Sequence, residues 1–194
     1  RLEEVYRFEN GPVELAGSLY WDFPRQWVDV RQGLRAVGAR FGDQIASVGV
    51  DTWGVDFGLL GRGDELLGNP YHYRDSRTSG MFDKAFAIVS REEIFAETGL
   101  QFMELNSLYQ FLAMKRENSP LLDVAESMLM MPDLFHWMLT GTMCNELYEA
   151  STSLLYNPQS GTWSTELLEK FGLPTRFLGP IVQPGTDLGP LRPG

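Results

Sequence analysis

The chain has 194 residues, 43% hydrophobic and 22% charged, the proportions of an ordinary globular protein and not those of a disordered one. That length gives one domain, or one large domain with a small appendage, and allows roughly 70% of the unfolded surface to be buried. The formal net charge of −10 provides no general field to draw phosphate, so a nucleic-acid or anionic-membrane partner is not expected. A nucleotide held by local backbone amides and magnesium stays possible.

Cys144 is the single cysteine, which rules out an intramolecular disulfide and suits a reducing cytoplasm, the expected location. There is no apolar run of about 18 residues and no charged-then-apolar start of the secretory kind. The chain opens on Arg1 and reads at once as structure, while Pro190 to Gly194 reads as the middle of a loop. Both ends are therefore expected to be cut.

In chain order, Leu2, Val5, Tyr6 and Phe8 predict a strand over 2–8, and Asn10-Gly11-Pro12 a turn. A short extended piece over Leu19–Trp21 leads to Pro24, well placed to start a helix. Trp27, Val30, Leu34, Val37 and Phe41 then form one apolar stripe ending near Gly42. Ile45 to Val50, rich in β-branched residues, predicts a buried strand. Val55, Phe57 and Leu59 alternate with Asp56 and Gly58, and Gly61–Asp64 turns the chain towards Leu66-Leu67, which predicts a hairpin. That turn lacks the lysine and spacing of a phosphate loop.

Ser90 and Glu93 have capping-box spacing, with Gly99 at the stop position. Leu108, Phe111, Leu112 and Lys115 mark a helix capped by Asn106 or Ser107. Met128–Met131 is read as extended, with methionines as core filler. Pro132 opens a helix closing at Gly141, and a last helix spans Trp163–Phe171. Early strands with helices between and after them give an α/β class.

Chemistry points first to Ser47–Phe57. Small and polar residues follow an apolar strand at once, and open α/β sheets bind ligands at the carboxyl ends of strands. Gly54 would let backbone approach a ligand, Trp53 offers an apolar face to a sugar ring, and Thr52 and Asp51 could meet hydroxyls. The plain alternative is a strand-end turn with Trp53 packed in the core.

Several blocks now come together: Val50-Asp51-Thr52-Trp53-Gly54-Val55-Asp56-Phe57, Tyr73-Arg74-Asp75-Ser76-Arg77-Thr78, Thr98–Phe102, Asn106–Gln110, Met131–Leu134, Leu139–Gly141, Ala150–Thr152 and Pro184–Thr186. In order and content they resemble the rhamnulokinase branch of the FGGY carbohydrate kinases. The resemblance implies that residues 1–194 are a partial amino-terminal, sugar-binding lobe of ribonuclease-H-like (actin-like ATPase) fold. That lobe is a mixed sheet with flanking helices, truncated at both ends. It implies L-rhamnulose as small-molecule partner, phosphorylated at the 1-hydroxyl by ATP with Mg2+ through direct in-line transfer, in the intact enzyme. Gly54, Trp53, Thr52 and Asn106 are the sugar-contacting positions it suggests.

A first strand with a phosphate-handling turn is expected before Arg1. The catalytic aspartate and the ATP lobe are expected beyond Gly194. The fragment itself is thus expected to be inactive and to hold neither ATP nor magnesium tightly. Rivals are an FGGY kinase for another ketose, a non-catalytic sugar-binding module, and a glycoside hydrolase built on paired carboxylates.

Plainer roles are expected elsewhere. Arg74, Asp75 and Arg77 make either a substrate contact or a local salt-bridged turn. Asp133 suits a helix start. His72 and His136 lack a second histidine at ligand spacing, so no metal is expected. Asn145, Glu146 and Ala150–Thr152 read as capping and loop anchoring.

Overall fold

The computed structural model describes residues 2–193. Strands β1 (Pro12–Leu15) and β2 (Ser18–Trp21) form an antiparallel hairpin. Its turn residues, Ala16 and Gly17, both have positive φ, as the twist of a two-residue hairpin demands. Helix α1 (Phe23–Phe41) starts where Asp22 accepts the Arg25 N–H at 3.1 Å, carries Pro24 in its first turn and stops at Gly42. Its apolar stripe is only half-buried. Trp27 and Val30 pack on a core cluster, whereas Leu34 and Val37 line a cavity.

Two sequence expectations fail in this region. Residues 2–8 form no strand and are largely exposed, tethered to α1 by Tyr6 Oη donating to Gln32 Oε1 at 2.7 Å. Ile45–Val50 is neither a strand nor buried, with Ile45 and Val48 38% and 40% exposed. A strand needs a neighbour to take its N–H and C=O groups. Among the described residues none runs beside either segment. Residues 45–51 instead line two cavities, of about 870 and 700 Å³, the second shared with residues 3–8.

Strand β3 (Phe57–Leu60) does form, but its main partner is distant in sequence. It pairs antiparallel with β4 (Ser127–Met130), Phe57 opposite Met130, and on its other side the predicted hairpin returns, with Leu66 bridging Leu60, the Gly61 N–H donating to the Glu65 carbonyl at 2.8 Å and the Leu67 N–H to the Leu59 carbonyl at 2.9 Å. Period-two alternation divides this pair between two core clusters. Phe57, Leu59, Met128 and Met130 face one, Leu60 and Leu129 the other.

The chain between β3 and β4 is helical: α2 (Met81–Phe86), α3 (Arg91–Thr98), α4 (Ser107–Arg116) and α5 (Leu121–Val124). Ser90 accepts the Glu93 N–H and Gly99 ends α3 at φ 62°, as expected from the sequence. Helix α4 is buried from Ser107 to Met114 and forms the spine of the larger core. There Phe111 stacks between Phe57 and Phe177, with ring centroids 4.2 and 5.2 Å away.

After β4, α6 (Met131–Thr140) runs from Pro132 to Gly141, which takes φ 89°. A Cβ on Gly58 would lie 2.8 Å from Leu134, so glycine there lets β3 and α6 approach. Strand β5 (Asn145–Glu146) leads into α7 (Leu147–Ser151). Strands β6 (Tyr156–Asn157) and β7 (Thr162–Trp163) pair antiparallel, and α8 (Thr165–Lys170) follows, so Trp163 belongs to a strand and not to the last helix. Strand β8 (Ile181–Val182) returns parallel to β5. The class is α/β, with the strands distributed over four two-stranded sheets among the described residues.

Candidate functional site

The turn entering β3 is held in a conformation its residues would not choose. Val55, β-branched and buried, has φ 69°, and the Asp56 N–H donates back to the Gly54 carbonyl at 2.9 Å. A γ-turn of this hand is rare and strained, about 1–3 kcal/mol, and persists only where its surroundings over-determine it. They do here. The Val55 N–H donates to Thr152 Oγ1 at 2.9 Å, and its carbonyl accepts from Ser107 Oγ at 2.5 Å and Gln110 Nε2 at 3.3 Å.

Asp56 lies just after the turn and is fully buried. Its Oδ2 accepts from Trp21 Nε1 at 2.6 Å, Trp53 Nε1 at 3.1 Å and the Tyr73 N–H at 3.1 Å, while Oδ1 accepts from Gln110 Nε2 at 2.9 Å. Burial pushes its carboxyl up to about 6, against those four hydrogen bonds, which pull it down. The Trp21 and Trp53 rings lie 4.1 Å apart, and Trp21 also packs on His72 at 4.1 Å.

Of the site residues suggested by sequence, Thr52 and Trp53 line the cavity of about 700 Å³, together with residues from 3–10 and α1. Gly54 is half-buried, and the space where a Cβ would go is taken. That atom would lie 2.8 Å from both Cγ2 and Oγ1 of Thr152. Glycine at 54 therefore serves close packing on Thr152, besides any approach to a ligand. Asn106 is fully buried with both ends of its amide engaged. Oδ1 accepts the Met103 N–H at 2.7 Å and Nδ2 donates to the Thr152 carbonyl at 2.8 Å. It braces the turn from below and offers no atom to the cavity.

In the Tyr73–Arg77 block, Asp75 and Arg77 are buried and hold a turn, while Arg74 and Ser76 are exposed. Asp75 accepts the N–H groups of Arg77 and Leu19, at 3.0 and 2.6 Å, and lies 3.8 Å from the Arg77 guanidinium. Arg77 stacks over Tyr71 at 3.6 Å and donates to Gln110 Oε1 at 2.7 Å. Arg77, Gln110, Asp56 and Trp53 thus form one connected chain of contacts.

A second concavity, of about 870 Å³, is lined by Asp51, Asp133, Glu146, Glu149, Asp187 and His136 among others. Asp133 sits in the first turn of α6, where its Oδ1 accepts the Glu146 N–H at 3.1 Å. Burial raises its carboxyl. Burial, with Asp133, Glu146 and Asp51 nearby, pushes Glu149 up to about 7. Among the described residues no group of three or more His, Cys, Asp or Glu is arranged to hold a metal ion. Gly61–Asp64 is the linker between β3 and Leu66.

Sequence reasoning missed Asp56, Gln110 and Glu149. The one available signal was a carboxylate, Asp56, inside an otherwise apolar strand pattern, which implies a buried charge needing partners. Nothing local distinguishes Gln110 or Glu149, because their significance lies in what the fold places beside them.

A family model described as the N-terminal domain of the FGGY family of carbohydrate kinases matches residues 12–194. The chain belongs to the FGGY family of carbohydrate kinases. It is 42% identical over 190 residues to a rhamnulokinase of Bacteroides thetaiotaomicron, covering 98% of this chain and 39% of that protein. It is 38% identical over 193 residues to a rhamnulokinase of Oceanobacillus iheyensis, covering all of this chain and 41% of that protein. The chain thus spans about two fifths of the length of these relatives. Among solved structures, a gluconate kinase and a ligand-bound xylulose kinase, both from Lactobacillus acidophilus, superpose with TM-score 0.85. Each is 20% identical, covering 94% of this chain and 37% and 38% of theirs. This FGGY chain accordingly has the actin-like, ribonuclease-H-like fold of sugar kinases. Among the described residues no helix is long and apolar enough to cross a membrane.

Proposed function

We propose that this chain is the sugar-binding part of a carbohydrate kinase that phosphorylates L-rhamnulose at its 1-hydroxyl, with ATP and magnesium in the whole protein. The observation that carries the reading is the cavity reaching Thr52 and Trp53, beside a backbone turn held under strain. Strain of that kind is kept where a precise surface is needed. Trp53 gives a ketose an apolar floor and Thr52 a hydroxyl partner. The choice of L-rhamnulose is supported by relatives named rhamnulokinase at 42% and 38% identity. Phosphoryl transfer works by positioning two substrates across one cleft and neutralising charge between them. The described residues supply the sugar side of such a cleft, so the chain alone is proposed to bind sugar without transferring phosphate.

Calorimetric titration of this chain with L-rhamnulose, L-fuculose and D-xylulose tests the reading, alongside an ATP-coupled assay of the whole protein on the same sugars. Preferential binding and turnover of L-rhamnulose is expected. Preference for another ketose would overturn the substrate, and absence of any sugar binding would overturn the lobe's role.

A further inference from the structure

Trp53 reaches the cavity as part of a pair. One buried oxygen, Asp56 Oδ2, receives both indole N–H groups, from Trp21 at 2.6 Å and Trp53 at 3.1 Å, and the two rings lie 4.1 Å apart at 36°. We infer that Asp56 is the positioning residue of the sugar platform, its carboxylate latching the Trp53 ring in the one orientation that presents a face to the ligand. The inference rests on the sugar-binding reading above and adds to it the group that sets the platform's geometry.

Three observations carry it. First, an indole on a strand-end turn has rotamer freedom to lose, and a hydrogen bond to an ionised acceptor is among the stronger means of fixing it. Trp53 is only half-buried, so packing alone leaves its outer face unconstrained. Second, Asp56 is fully buried, and among the described residues it makes no ion pair. Its charge is met by four N–H donors: two indoles, one backbone amide and the Gln110 amide. A buried carboxylate is expensive unless it is hydrogen-bonded, and removing this one would leave four N–H donors without their acceptor. A fold that keeps such a carboxylate uses it. Third, the acceptor is itself held from behind. Gln110 cannot turn its amide to suit a different partner, because its Oε1 is committed to Arg77 at 2.7 Å. The latch therefore has a rigid anchor.

Two substitutions probe the same contact from its two ends. Trp53→Phe keeps an aromatic face and removes the N–H. Asp56→Asn keeps an oxygen and removes the charge. Each is expected to weaken ketose binding about tenfold by calorimetry, with a matching rise in KM and little change in kcat in the whole protein. The double variant is expected to be no weaker than the worse single one, since Trp53→Phe already removes the hydrogen bond that Asp56→Asn weakens. Near-UV circular dichroism of the sugar-free chain supplies an independent readout, with the signal of the coupled Trp21–Trp53 pair reduced in both variants.

If the wild type binds ketose and Trp53→Phe binds it equally well, the latch is refuted and sugar binding stands. Additive losses in the double variant would refute it too. If the wild type binds no ketose, the sugar reading fails and the latch falls with it, whatever the spectra show. Should Asp56→Asn not fold, the affinity and spectrum of Trp53→Phe decide alone.

Discussion

Gly54→Ala isolates what the strained turn requires of its neighbours. The added methyl would sit 2.8 Å from Thr152 Cγ2 and Oγ1 and 3.0 Å from its Cβ, closer than carbon atoms approach in folded proteins. Gly54 does not have positive φ, so alanine suits its backbone and would by itself gain about 0.5 kcal/mol by restricting the unfolded chain. The obstacle is thus purely one of packing.

Thr152 cannot simply rotate away. Its hydroxyl accepts from Val55 N–H at 2.9 Å and donates to the Glu149 carbonyl at 2.8 Å, and its own carbonyl is tied to Asn106. Overpacking of this kind costs about 1–3 kcal/mol, and displacing the Val55 hydrogen bond about 1 more. The expected net loss is about 2–3 kcal/mol, a fall in Tm of roughly 5–10 °C for a chain of this size. The assay is urea unfolding of Gly54→Ala, Thr152→Ala and the double variant. Thr152→Ala alone should cost about 1–2 kcal/mol through the orphaned Val55 N–H. The double variant should be more stable than the sum of the singles predicts, because truncating Thr152 makes room for the methyl. Wild-type stability for Gly54→Ala, or strict additivity in the cycle, would refute this account of the turn.

Glu149 titrates at about 7 in the folded chain against 4.5 ordinarily, so the folded state binds more protons between those values. Its stabilising contribution is fully present below pH 4.5 and is lost as pH rises through about 7. Asp56, raised from 3.8 to about 6, acts in the same direction. Denaturation midpoints measured from pH 4.5 to 8 should therefore fall less steeply for Glu149→Gln than for the wild type. In the core, Phe111→Ala removes the middle ring of the Phe57–Phe111–Phe177 stack. It should cost about 3–5 kcal/mol in urea unfolding, the range for emptying a buried aromatic site.

Helix ends were the most legible part of the sequence, because caps are local. Pro24, Ser90, Gly99 and Gly141 stand where the sequence placed them, each acting through a bond or a dihedral within a few residues. Strands were less so. Leu2–Phe8 and Ile45–Val50 have strand composition, yet composition does not supply the neighbour that must take their backbone groups. The Val55–Leu59 alternation did mark a strand, and Leu66-Leu67 does turn back onto it, the Leu67 N–H donating to the Leu59 carbonyl at 2.9 Å, but its longer partner, Ser127–Met130, was not visible in the sequence. At the site, the blocks around Gly54, Asn106 and Thr152 were recognisable one by one. Their convergence on the Val55 turn was not, since Thr152 and Ser107 reach it from 97 and 52 residues away.

By itself the sequence determined the α/β class, the family, the ends of α1 and α3 and the segment that carries Trp53. Those depend on local dihedral preferences, hydrophobic period and motif order, all of which are written along the chain. Only the tertiary structure decided that Gly54 abuts Thr152, that Asn106 is a brace, and that Asp56 holds two indoles at once. Each of these depends on a contact between residues far apart in the chain, Gly54 and Asn106 with Thr152 and Asp56 with Trp21, set by close packing of side chains that no single segment specifies.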